Sequence, residues 1–106
     1  MTKERRFYVK VHEYEGQILL AVCDRELLGR ELKKDNIVLA VPHYFYGGRE
    51  VSLDEVLDLL READIVVATG RKIIEELIKR GVITEESVLK LDNEFWHVQI
   101  LREVIR

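Results

Sequence analysis

Ser52-Leu53-Asp54-Glu55-Val56-Leu57-Asp58-Leu59-Leu60-Arg61-Glu62-Ala63-Asp64-Ile65-Val66-Val67-Ala68-Thr69-Gly70 passes from helix to strand and on to the start of a second helix. Its opening is a capping box, with Ser52 three residues before Glu55 and Val51 placed to pack on Val56. Leu53, Val56, Leu57 and Leu60 recur on one helical face as far as about Glu62. Ile65-Val66-Val67-Ala68 is short, apolar and rich in β-branched residues, which suits a buried strand. Beyond it, Ile73, Ile74, Leu77 and Ile78 form the apolar stripe of a second helix, with Glu75–Lys79 and Glu76–Arg80 at favourable four-residue spacing. Thr69 reads as the N-cap of that helix and Gly81 as its C′ residue.

Working outward, Phe7, Val9 and Val11 alternate with Tyr8, Lys10 and His12, a period of two that predicts a half-buried strand. The turn at Glu13-Tyr14-Glu15-Gly16 joins it to the apolar run Gln17–Val22, giving a hairpin. Asp24 is placed to cap one helical turn that Gly29 stops. Ile37-Val38-Leu39-Ala40-Val41 is apolar and β-branched, so it is expected as a central strand ending at Pro42. Val88–Leu91 and Trp96–Ile100 read as a last pair of strands joined by Asp92-Asn93-Glu94. The expected fold class is α+β: a two-layer mixed β-sheet with two main helices packed on one face, in one domain over residues 1–106. Leu101–Arg106 fits either more strand or a helical turn.

Composition narrows the function classes. A formal charge of −3 gives no global attraction to nucleic acid, although 35% of the residues are charged. No apolar run is long enough for a membrane span, and Met1–Arg6 carries no signal or lipidation pattern, so a cytoplasmic protein is expected. The single cysteine, Cys23, excludes an internal disulfide and reads as a buried, reduced thiol. Nothing local would activate it as a nucleophile. Heavy use of Glu, Lys and Arg with few Asn, Gln, Cys and Met fits a thermophilic source.

The densest cluster of unusual residues is Pro42-His43-Tyr44-Phe45-Tyr46-Gly47-Gly48-Arg49. As a site, His43, Tyr44, Tyr46 and Arg49 would stack on and pair with an unpaired base or a peptide. As a plain turn, Phe45 would plug the core and Gly47 and Gly48 would supply positive φ. His97 and Gln99 share one face of the last strand, where they suit either a ligand or a structural hydrogen bond. Thr69, Gly70 and Arg71 open a helix and form a weak candidate for an anion. Lys3, Arg5, Arg6, Arg102 and Arg106 would make a basic patch if the terminal strands were neighbours. His12, His43, His97 and Cys23 show no metal-ligand spacing, and no catalytic set or cofactor motif is present.

The chain resembles a small archaeal family, domain of unknown function 424. The resemblance rests on Cys23-Asp24 with Glu26-Leu27-Leu28-Gly29, on Phe45-Tyr46-Gly47-Gly48, on Gly70, on Gly81-Val82-Ile83 and on His97-Val98-Gln99. Three positions depart from that pattern. Val67 stands where the family has asparagine, and Glu94 and Trp96 where it has glycine and proline. The resemblance implies an archaeal cytosolic setting and no reaction. The expectation is a non-enzymatic binding module, with RNA or a ribosome-associated protein as partner, no cofactor and no metal. Two rivals stand beside it: a ligand-binding protein or enzyme using His97, Gln99 and the 43–49 turn, and a protein–protein adaptor using the acidic helix faces. The structural residues expected are Asp24, Gly29, Phe45, Gly47, Gly48, Ser52 and Gly81.

Overall fold

A computed structural model describes residues 5–102. The chain runs through β1 (Arg6–Tyr14), β2 (Gln17–Asp24), a 3-10 turn (Arg25–Leu27), β3 (Glu31–Lys34), β4 (Ile37–Ala40), α1 (His43–Tyr46) and β5 (Arg49–Ser52). It continues with α2 (Leu53–Glu62), β6 (Ile65–Thr69), α3 (Arg71–Lys79), a second 3-10 turn (Glu85–Ser87), β7 (Leu89–Lys90) and β8 (Trp96–Leu101). This is the expected α+β architecture, a mixed sheet with helices packed against it.

The main sheet has the order β5-β1-β2-β6-β8-β7. Only β2 and β6 are parallel, and their register sets Cys23 beside Thr69. On the other side of β6, Thr69 lies opposite His97 of β8. Phe7, Val9, Leu20, Val22, Val66, Ala68 and Val98 point to one face, where Val56 and Leu60 of α2 and Ile73, Ile74 and Leu77 of α3 cover them. That stripe spacing is what the sequence periodicity requires of two amphipathic helices on a sheet.

The helix ends follow local chemistry. Ser52 Oγ accepts the Glu55 N–H at 3.3 Å, and Val51 and Val56 are both buried. Glu55 spends its carboxylate on Arg49. At the far end of α3, the Gly81 N–H bonds Ile78 O and the Val82 N–H bonds Leu77 O, with Gly81 at φ 73°. This is the Schellman arrangement expected of a C′ glycine. Glu76 pairs with Arg80 as the spacing predicts, whereas Glu75 pairs with Arg71 on its N-terminal side instead of Lys79.

The opposite face of the sheet is covered too, and from an unexpected source. Ile37–Val41 does not enter the main sheet: β4 pairs only with β3, in a separate two-stranded ribbon. The ribbon's Leu32 and Leu39, with Val41, Tyr46 of α1, Leu91 and Phe95, pack on Ala21, Cys23 and Val67. The apolar run therefore serves as a cover, because a tight turn at Asp35-Asn36 commits it to the polar segment Glu31–Lys34. The terminal strands are not neighbours either, since β2 and β6 lie between β1 and β8. Arg5 and Arg102 consequently do not form one patch, and Arg102 instead bonds Leu60 O. Lys3, Arg106 and the conformation of residues 103–106 lie outside the described residues.

Candidate functional site

Two parallel strands ending side by side, followed by a helix N-terminus, make the natural place for a site in a sheet of this kind. Here β2 ends in Asp24 and β6 ends in Thr69-Gly70, with α3 starting directly after. Asp24 sits on the helix-facing side of β2, at an even spacing from Leu20 and Val22. Its carboxylate accepts the Lys72 N–H at 2.9 Å and the Ile73 N–H at 2.8 Å. Asp24 is thus the N-terminal cap of α3, supplied from a different strand, and its side chain makes no cap bond to the short turn that follows it.

Gly70 is what lets the carboxylate in. It takes φ 127°, and a Cβ there would collide with the Asp24 carboxyl group. The N–H groups that an external anion would need at α3 are already engaged, so the helix terminus holds the chain's own anion. Burial pushes the Asp24 carboxyl up to about 6, against the pull of the two backbone N–H bonds. Around it lies a small recess of about 100 Å³, lined by Asp24, Glu26, Arg71, Lys72, Asn93 and Glu94. Lys72 crosses it to pair with Glu26 at 2.6 Å.

Thr69 is not the cap of α3. Its side chain points to the other face, fully buried, where Oγ1 lies 2.9 Å from Tyr46 Oη and 2.8 Å from His97 Nδ1. A buried phenol needs an acceptor for its proton, which orients the chain as Tyr46 O–H to Thr69 Oγ1 and Thr69 O–H to His97 Nδ1. That direction leaves His97 neutral with its proton on Nε2. Burial lowers the His97 pKa and raises that of Tyr46, both in the direction that keeps this neutral chain. Cys23, beside Thr69 in the sheet, is pushed up to about 12 by burial first and by the neighbouring Asp24 charge second. It is an inert thiol at neutral pH.

The aromatic turn divides in two. Pro42 caps the single helical turn α1, whose Tyr46 faces inward and is buried, so it offers no stacking surface. His43 is exposed, and Tyr44 is 76% exposed. Phe45 is half-buried, with its ring stacked on His12 at 4.8 Å and its carbonyl bonded to His12 Nε2 at 2.8 Å. Gly47 and Gly48 are glycines for a different reason than positive φ, which neither adopts. A Cβ on Gly47 would press on His43 O, and one on Gly48 would collide with Val9 O of β1. Gly29, at φ 84°, makes room for the His43 ring in the same way.

Arg49 leaves the turn on the α2 side of the sheet, where it pairs with Glu55 at 3.1 Å. The cation at Tyr44 is Lys10, with two more gathered on Glu50. Lys10 Nζ bonds Tyr44 O at 2.7 Å, and Arg25 and Arg6 share Glu50, which stands beside Tyr8 in the β1–β5 pairing. Period-two counting already places Tyr8, Lys10 and His12 on one face, which is the signal that would have linked Lys10 to the turn. Gln99 shares a face with His97 but is exposed and lies opposite Val67. Among the described residues, no three His, Cys, Asp or Glu side chains gather as a metal site.

The arrangement defines a class: an α+β domain whose sheet ends in a hydrogen-bonded polar cluster beneath an aromatic turn. The family model described as "Protein of unknown function (DUF424)" matches residues 12–102, and the chain belongs to that family. A search of curated proteins finds no match. Among solved structures, the chain is similar to an uncharacterized conserved protein from Methanopyrus kandleri, at a TM-score of 0.71 and 22% identity. That likeness covers 95% of this chain and 96% of the other, and it shows the fold alone.

Asp24, Tyr46, Gly70 and His97, all quoted for the family resemblance, converge on the carboxyl ends of β2 and β6. The departures flank the same place. Trp96 packs on the helix side with its indole N–H on Asp92 O, under the cations of Arg71 and Lys90. Glu94 holds the Arg71 N–H with its carbonyl and pairs with Arg30.

Proposed function

We propose that the chain is a binding module that presents the α1 turn to an unpaired stretch of RNA, as part of a ribonucleoprotein such as the translation apparatus. The observation that carries the reading is Tyr44: a large aromatic ring, 76% exposed, on a turn held by the Lys10, His12 and Tyr46 hydrogen bonds. An exposed ring on a turn whose backbone is already held loses less entropy when a base stacks on it than one on a loose loop. His43 stands next to it, and Lys10, Arg6 and Arg25 lie on the same side of β1 and β5. The Arg25–Glu50 pair is partly exposed, so it contributes about 0–1 kcal/mol and can exchange for a phosphate.

The polar cluster supports binding over catalysis. Thr69 is fully buried, Cys23 is an inert thiol, and Asp24 is committed to the α3 N-terminus. Anisotropy titration with a labelled single-stranded RNA tests the proposal. Tyr44→Ala should weaken binding by about 1–3 kcal/mol, the worth of one stacked base. Arg25→Ala should flatten the salt dependence. Affinity that ignores both substitutions would sink the reading.

A pocket reading retains one specific support. His97 Nε2 takes no hydrogen bond from the described residues and is not buried, so the Tyr46–Thr69–His97 chain ends in an outward donor of fixed tautomer. Titration of the His97 ring by NMR, with and without a bound small molecule, is the measurement that separates the two readings.

A further inference from the structure

We propose that the β3–β4 ribbon pairs along its β4 edge with the β4 of a second copy of this chain. The Asp35-Asn36 turn makes Lys34 and Ile37 a hydrogen-bonded pair, and the Val41 N–H bonds Arg30 O, so bonded pairs alternate along the ribbon. Val38 and Ala40 fall between them. Their N–H and C=O groups point away from β3, and none of the described residues bonds them.

Other free strands in the molecule carry the protections that keep sheet edges from pairing. β5 bears Arg49 and Glu50, β7 is two residues long and bears Lys90, and β3 bears Glu31, Lys33 and Lys34. Among the described edge strands, β4 alone is uncharged and without proline, reading Ile-Val-Leu-Ala with Val38 58% and Ile37 43% exposed.

The occupant follows from charge and register. The chain is acidic overall, so two copies repel except where a surface is neutral, and β4 is such a surface. An antiparallel pairing that sets Val38 against Ala40 of the second copy, with Leu39 on the two-fold axis, matches every free N–H of one edge to a free C=O of the other. The result is a closed, two-fold, four-stranded sheet, β3-β4-β4-β3. This pairing does not depend on what the α1 turn binds.

Sedimentation and light scattering of the full chain across about 5–500 µM test the proposal. The expected result is a monomer–dimer equilibrium that moves to monomer in Val38→Lys and in Ala40→Pro, with thermal unfolding of the dissociated chain unchanged. Two variants guard against a local folding defect in either. Amide exchange should protect Val38 and Ala40 at high concentration and release them on dilution. A chain that stays monomeric throughout the range, or a dimer that both variants leave intact, would overturn the proposal.

Discussion

Ile65-Val66-Val67-Ala68 and Ile37-Val38-Leu39-Ala40 are close in composition and opposite in fate. The first is the middle of the molecule, hydrogen-bonded on both sides, with Val66 and Ala68 fully buried. The second is one half of a surface ribbon, with Val38 58% exposed. Strand propensity is the same in both, because β-branched side chains suit any pleated surface. The difference lies in what the chain does on either side. β6 is preceded by α2 and followed by α3, which fold back over one face of the sheet and leave β6 between β2 and β8. β4 follows β3 across a two-residue turn, and that turn commits one of its edges to a polar neighbour that stays outside the main sheet.

The contrast can be broken or sharpened by substitution. Val66→Asp places an unpaired charge in the fully buried face and is expected to cost about 4 kcal/mol or more, enough to unfold a domain of this size. The matching change in the ribbon, Val38→Asp, should stay within about 0.5 kcal/mol in denaturant unfolding of the monomer. Equal losses would show that the two runs are not different in kind.

A second tier concerns the end of β6. Gly70→Ala forces a Cβ into the Asp24 carboxylate and is expected to lose more stability than Asp24→Ala, which leaves two α3 N–H groups uncapped at about 1–2 kcal/mol. Asp24 also has a pH signature. Its folded value of about 6 lies above the ordinary 3.8, so the folded state binds the proton more tightly. Its contribution is fully present below about pH 4, is lost as pH rises through about 6, and stays flat above that. In Asp24→Asn this slope should disappear from unfolding free energies measured across the same window.

Similar in size is Thr69→Val, which keeps the shape but strands the Tyr46 hydroxyl at a cost of about 1–3 kcal/mol. It also frees the His97 tautomer, visible as a changed ring nitrogen spectrum, whereas Thr69→Ser should preserve it. The smallest effect is that of Tyr44→Ala on stability, within about 0.5 kcal/mol, because the ring is solvent-exposed.

Legibility in the sequence followed distance along the chain. The Ser52 cap, the Gly81 stop, the β1–β2 hairpin, both amphipathic helices and the shared face of His97 and Gln99 depend on residues a few positions apart, and the structure contains them all. At the site the reading was partial. The sequence marks His97 and the 43–49 turn, and the structure joins them, but through Tyr46 and Thr69 acting as a buried strut. Tyr46 and Arg49 do not belong to the exposed aromatic surface; Lys10 stands beside it instead, with Arg6 and Arg25 gathered on Glu50. Asp24 shows why. Its pattern fits a local cap equally well, and nothing nearby in sequence reveals that its acceptors' true partners are Lys72 and Ile73.

What the sequence determined by itself was therefore the set of elements, their caps and their apolar faces, since periods of two and 3.6 and the termini of helices are local physics. What only the tertiary structure decided was which elements meet. The strand order that parts β1 from β8, the use of an apolar run as a cover, and the capping of α3 by a residue 48 positions away are settled by long-range burial and by the need to satisfy buried polar groups, neither of which a local pattern records.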